Sequence, residues 1–98
     1  MDYVIGIYFQ WKRTSKETMS EDFKEHYDLV KKTCEEEDGV ELMGLYMPMN
    51  KSWNWVYVFK VESIARLQEV TAIIDKRYGG IPKQITNIIW NILSKIEL

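Results

Sequence analysis

The chain is poor in the residues that usually build disulfides and metal sites. Its 98 residues include one cysteine, Cys34, and one histidine, His26. A lone cysteine forms no internal disulfide, which is typical of a reducing compartment, so the sequence predicts a cytoplasmic protein. Protein metal sites collect three or four side-chain ligands, and neither residue has a second ligand of its kind. We therefore expect no metal and no cofactor, and Cys34 to be a small buried hydrophobe.

Basic residues and long apolar runs are also scarce. Thirteen Lys and Arg face fifteen Asp and Glu, for a net charge of −2. Without a basic stripe, a nucleic-acid partner is not expected. No apolar run approaches the roughly 20 residues that cross a bilayer. Because Met1-Asp2 leads directly into a strand-like segment, we expect no signal peptide. We expect no membrane partner.

Aromatic residues, in contrast, are abundant. The chain has four Trp, six Tyr and three Phe. A monomer of this size has little interior in which to bury so many rings. The excess favours a ligand pocket or an oligomer interface over a core that is merely aromatic.

Local patterns predict one domain, residues 1–98, with two helices among strands. Thr18 and Glu21 fit a capping box, and Gly39 suits a left-handed helix end. Ser63 resembles a second helix cap, with Gly79 and Gly80 as its stop. The predicted order is strand 3–11, helix 18–37, strands 40–49 and 53–61 joined as an antiparallel hairpin, and helix 64–78.

The last segment, residues 82–97, supports two interpretations. Ile85, Ile88, Ile92 and their neighbours fit a helical stripe, and Pro82 suits a first helical turn. The β-branched residues of 85–92 favour a strand instead. A strand would complete a βαββαβ pattern and cover the edge of the first strand, and we adopt it.

Two strand segments, residues 4–9 and 55–59, are apolar on both faces, which predicts that both faces of the sheet are covered. Right-handed crossovers place both helices on one face. We expect the compact Val56, Val58 and Gly6 to face the helices. The rings of Trp55, Tyr57 and Phe59 would then line the other face. That aromatic face would be covered by a second copy, giving a homodimer with sheets packed face to face.

This order of elements, with an aromatic third strand followed by a Ser-capped helix, resembles the dimeric α+β barrel superfamily, whose protomers are ferredoxin-like. The resemblance covers nearly the whole chain and is greatest for the small uncharacterised members. The superfamily also includes cofactor-independent monooxygenases, haem-degrading enzymes, dehydratases and muconolactone isomerase-like proteins. It has no common catalytic signature to carry over, so the resemblance implies fold and dimerisation, and an activity only by analogy.

Five side chains are candidates for chemistry or binding. His26 lies at the edge of the first helix's apolar stripe, where it could act as a general base or remain a helix-edge histidine bonded to a neighbour. Tyr8 is expected on the helix-facing side of the sheet, close to His26. Gln10 and Tyr46 could supply polar groups to a pocket, and Trp55 could stack on a flat ligand or belong to the dimer core.

Three hypotheses about function follow from these candidates. The first is a small dimeric protein that binds an apolar or aromatic ligand in a cleft between sheet and helices. The second is a cofactor-independent monooxygenase or isomerase that acts on a flat aromatic substrate, with His26 and Tyr8 as catalytic residues. The third is a haem-binding protein with His26 as axial ligand.

Overall fold

Six elements make up the computed structural model of the protein, which describes residues 3–11, 16–48 and 54–93, with side chains of the first helix described from residue 23 onward. In chain order they are β1 (Tyr3–Trp11), α1 (Lys16–Glu36), β2 (Val40–Tyr46), β3 (Trp55–Val61), α2 (Ile64–Tyr78) and β4 (Ile85–Leu93).

The four strands form one antiparallel sheet in the order β2-β3-β1-β4. This is the ferredoxin-like βαββαβ arrangement, and it confirms the predicted fold class. The last segment is a strand, as expected, and pairs with β1 from Val4↔Leu93 to Trp11↔Ile85. The local patterns for a helix and for a strand are nearly balanced in this segment. Pairing with the free edge of β1 therefore favours the strand.

Three predicted boundaries differ from the structure by two residues or more. Helix α1 begins at Lys16, so Thr18 lies inside the helix and the prediction that it caps the helix is wrong. Strand β2 ends at Tyr46, shortly before Pro48, which has no N–H to donate to a ladder. Strand β3 begins at Trp55, two residues later than predicted. Residues 49–53, which include Trp53 and the connection between the two predicted strands of the hairpin, lie outside the described residues.

Both ends of α2 are as predicted. Ser63 Oγ accepts a hydrogen bond of 3.1 Å from the backbone N–H of Arg66. Gly79 has a φ of 91°, and the N–H of Gly80 donates to the carbonyl of Asp75 at 2.6 Å. These bonds satisfy backbone groups that a helix end would otherwise leave open.

The acidic end of α1 is held by arginines of α2. Arg77 Nη2 lies 2.8 Å from Glu36, and Arg66 Nη2 lies 3.4 Å from Glu37. Arg66 Nε also donates to the carbonyl of Asp38 at 2.7 Å. The arginines offset the unfavourable placement of acidic side chains at a helix C-terminus, and so join the two helices.

The predicted assignment of the sheet faces is wrong. The rings of Phe9 on β1 and Trp55 on β3 point toward the helices: Phe9 stacks on Phe23 of α1 at 6.2 Å between ring centres, and the ring centre of Trp55 lies 4.5 Å from that of Phe23. Tyr57 is also on this side, because it bonds to His26. Large rings fill the space between a helix layer and a sheet better than valines do.

On the face of the sheet away from the helices lie two tyrosines, and the other side chains there are smaller than the rings on the helix side. Tyr8, Val56 and Tyr46 lie directly opposite one another across three strands. A Cβ on Gly6 would lie 2.9 Å from Tyr8 Cε1, and one on Gly44 would lie 2.8 Å from Tyr46 Oη. Each tyrosine ring therefore lies along the sheet, over a glycine. We call this surface the open face.

Candidate functional site

A cavity lies between the sheet and the helices, on the β4 side. Both helices pack chiefly on each other and over β2 and β3, while β4 packs on β1. The sheet is therefore wider than the helix layer. After α2, Gly79 and Gly80 turn the chain back toward β4, and Pro82 is buried. The carbonyl of Pro82 accepts from the N–H of Ile85 at 2.9 Å, which anchors this connection as one wall of the cavity.

The cavity has a volume of about 230 Å³. Its walls are mostly apolar, and every helix and strand except β2 contributes to them. They are formed by Ile7, Phe9, His26, Val30, Tyr57, Phe59, Thr71, Ile74, Asp75, Ile81, Pro82, Ile85, Ile88 and Trp90. At its mouth, Ile81 is 60% exposed and Ile88 is 44% exposed. An apolar cavity of about 150 Å³ is enough to bind benzene in another protein, so this one has room for a small ring compound.

One hydrogen-bonded pair supplies polarity on the cavity wall. His26 Nδ1 lies 3.1 Å from the hydroxyl of Tyr57, and His26 is 6% exposed. Four rings surround the imidazole at centre-to-centre distances of 5.5 to 6.4 Å; they belong to Tyr78, Tyr57, Trp11 and Phe9. The pair therefore lies in a largely aromatic, buried setting.

Burial keeps both members of the pair neutral. Desolvation lowers the pKa of His26 to about 4, so the imidazole is uncharged at neutral pH. Desolvation also raises the pKa of Tyr57 well above its usual value. A neutral pair can donate one hydrogen bond and accept another, but an imidazole with so low a pKa is a weak general base.

Asp75 brings the one ionisable carboxyl group to the described walls. It follows Ile74 on α2 and lies one turn beyond Thr71, so it borders the apolar stripe of that helix. Burial raises the pKa of its carboxyl group. No hydrogen bond or ion pair to this carboxylate occurs within the described part of the chain.

The structure separates the five candidate residues. His26 lines the cavity, but Tyr8 lies on the open face, so the expectation that it stands close to His26 is wrong. Gln10 is also on the open face, where its Oε1 accepts from Asn87 Nδ2 at 2.6 Å, and Tyr46 is there too, 53% exposed. Trp55 faces the helices next to Phe23, away from the cavity walls.

Sequence reasoning missed three of the polar and aromatic groups that define the cavity. Tyr57 was assigned to the wrong face, although its alternation with Val56 was recognised. Asp75 carried a usable signal, since an acidic residue borders the stripe of Thr71 and Ile74. Trp90 carried no signal that could place it at the cavity, because β4 has apolar residues on both faces.

Comparisons with protein-family models, with curated proteins and with solved structures find no match to this chain. Among the residues that the structure describes, no three His, Cys, Asp or Glu side chains come together in a way that could hold a metal ion. Neither α1 nor α2 has the length and apolar character of a membrane-spanning helix, as far as the chain is described.

Proposed function

We propose that this protein binds a small, mostly apolar or aromatic molecule in the cavity between its sheet and helices. The cavity itself carries the proposal: about 230 Å³, apolar walls, and a neutral polar pair at His26 and Tyr57. Ligand sites commonly combine apolar walls with a few convergent polar groups. The walls would supply most of the affinity, and the pair would orient one polar atom of the ligand.

Two exposed isoleucines offer a matched test of this site. Ile81 lines the cavity mouth and is 60% exposed, whereas Ile92 is 58% exposed and lies outside the cavity. Isothermal titration with 2-phenylethanol should show binding to the wild type. We expect Ile81→Trp to weaken this binding by about tenfold or more, because the larger side chain fills the entrance, a loss of about 1.4 kcal/mol.

Ile92→Trp is the control and should bind as the wild type does. A wild type that does not bind the probe, or equal losses in both variants, would contradict the proposed site.

An enzyme remains the second candidate because His26 lines the cavity as a neutral base. A monooxygenase or isomerase would use it to accept a proton from a bound aromatic substrate. Its low pKa favours binding over proton transfer, and Tyr8 could not assist from the open face. The third candidate, haem, fits less well, because the four rings around His26 leave no room for a macrocycle beside the imidazole.

We propose further that two copies pair through the open face, in the manner of a dimeric α+β barrel. The chain measures 17 Å along its shortest axis, the thickness of one helix layer on one sheet. At its centre the open face has Val58 and the rings of Tyr8 and Tyr46, and Val56 between these two strands is only 6% exposed. Glu41 and Lys60 lie opposite each other on neighbouring strands near one end of the sheet, so these charged residues are at the rim of the open face.

The area of this face suits a second copy. Four strands about 4.8 Å apart and about 25 Å long give a face of about 500 Å². Two such faces bury about 1,000 Å² in all, which is the lower end for a specific interface. Two-fold pairing also places the same apolar centre and polar rim on both sides.

A further inference from the structure

The cavity described above contains an imbalance of charge. Asp75 brings the one carboxyl group to the described walls, where His26 is neutral and neither lysine nor arginine is found. The two arginines of the same helix are paired elsewhere, and Lys76 is exposed and forms no ion pair with Asp75 in the described part of the chain. Arg77 bonds Glu36 and Thr33, and Arg66 bonds Glu37 and Glu69.

A half-buried carboxylate without a partner is costly, since it has lost part of its hydration and gained no compensating bond. Burial raises the pKa of the Asp75 carboxyl group, and this agrees with a carboxylate that has lost hydration without gaining a partner. A cation brought next to the carboxylate would restore the lost interaction. A second anion in the same cavity would be repelled by it.

The walls near Asp75 also suit a cation that carries an apolar body. The rings of Tyr57 and Trp90 line the same cavity, and aromatic faces attract ammonium groups at distances up to about 6 Å. Ile74, Ile85 and Ile88 supply surface for the hydrocarbon part.

From this arrangement we infer that the ligand is a small apolar amine, whose protonated nitrogen pairs with the carboxylate of Asp75 while its ring or alkyl part lies between the sheet and α2. This rests on the proposed ligand-binding function and names the class of compound. Carboxylic acids are excluded by the same charge.

Three probes that share one skeleton test the inference: 2-phenylethylamine, 2-phenylethanol and phenylacetate, each titrated calorimetrically at pH 7. The amine should bind about tenfold more tightly than the alcohol, and phenylacetate should bind more weakly than both. In Asp75→Asn, the affinity for the amine should fall to that for the alcohol, which itself should not change.

Glu69→Gln is the matched control, because it removes a carboxylate from the same helix at a position outside the cavity. It should keep the tenfold preference for the amine. Far-UV circular dichroism checks that each variant is folded, and if Asp75→Asn does not fold, the three affinities of the wild type decide alone.

The possible failures are distinguishable. If the wild type binds the alcohol and the amine equally, the amine inference is overturned while the cavity remains a ligand site. The same holds if phenylacetate binds most tightly, or if Asp75→Asn keeps the preference. If none of the three probes binds, the proposed function fails together with the inference.

Discussion

At the scale of single residues, His26 shows how burial sets chemistry. The sequence placed it at the edge of an apolar stripe, next to Phe23 and Val30. The structure adds four rings and the hydroxyl of Tyr57, and this setting lowers its pKa to about 4. The imidazole is therefore a neutral hydrogen-bonding group of the cavity.

This shift makes the stability of the protein depend on pH. Because the folded-state pKa of His26 lies below the unfolded value near 6.5, protonation favours the unfolded chain. The folded state should lose about 2 to 3 kcal/mol through this group as the pH falls from 6.5 to 4. Urea unfolding at a series of pH values measures the loss.

The variant His26→Gln separates this contribution from that of the carboxylates, which titrate in both proteins. Its free energy of unfolding should fall less steeply between pH 6.5 and 4 than that of the wild type. Parallel curves for the two proteins would contradict the assignment.

At the scale of elements, α2 was the best predicted segment because its signals are local. Ser63 and Gly79 act within a few residues of the helix ends, and both have the predicted roles. The start of α1 was predicted less well, since the pattern at Thr18 and Glu21 occurs inside a helix that begins at Lys16. A capping pattern marks a residue that can begin a helix, and it does not exclude an earlier start.

The N-terminal cap of α2 makes a measurable contribution to the free energy of unfolding. In Ser63→Ala, the N–H of Arg66 loses its acceptor at 3.1 Å, which should lower the free energy of unfolding by about 1 kcal/mol. Gln68→Ala, at an exposed position inside the same helix, should change it by less than about 0.5 kcal/mol. Urea midpoints that shift equally in both variants would show that the cap does not act as described.

At the scale of the whole molecule, α1 and α2 cover one face of the sheet, and the open face is the other. The proposed partner is a second copy, so the mass in solution should be twice that of the 11.7 kDa chain. Strand β4 supplies two isoleucines for a matched test. Ile89 lies on the open face, opposite Tyr8, and Ile92 lies on the helix side, opposite Ile5.

Ile89→Lys should dissociate the dimer, because it places a charge in the apolar part of the proposed interface. Ile92→Lys should leave the mass unchanged, although it also adds a lysine at an exposed position of the same strand. Sedimentation or light scattering at matched concentrations gives the masses. A monomeric wild type would refute the dimer, and dissociation by Ile92→Lys alone would move the interface to the helix side.

Local signals were sufficient to predict the first five elements, the β2–β3 hairpin and the ends of α2, because periodicity, caps and short connections act over a few residues. The sixth, β4, was predicted from the βαββαβ order, since its own pattern fits a helix nearly as well. The sequence also divided the residues of β3 into two sets, Val56 with Val58 and Tyr57 with Phe59. Alternation cannot say which set faces the helices, since both sets are apolar. Only the tertiary structure decided this, because the rings fill the space between two layers. The same packing joined His26, Tyr57 and Asp75, which lie on three different elements, around one cavity.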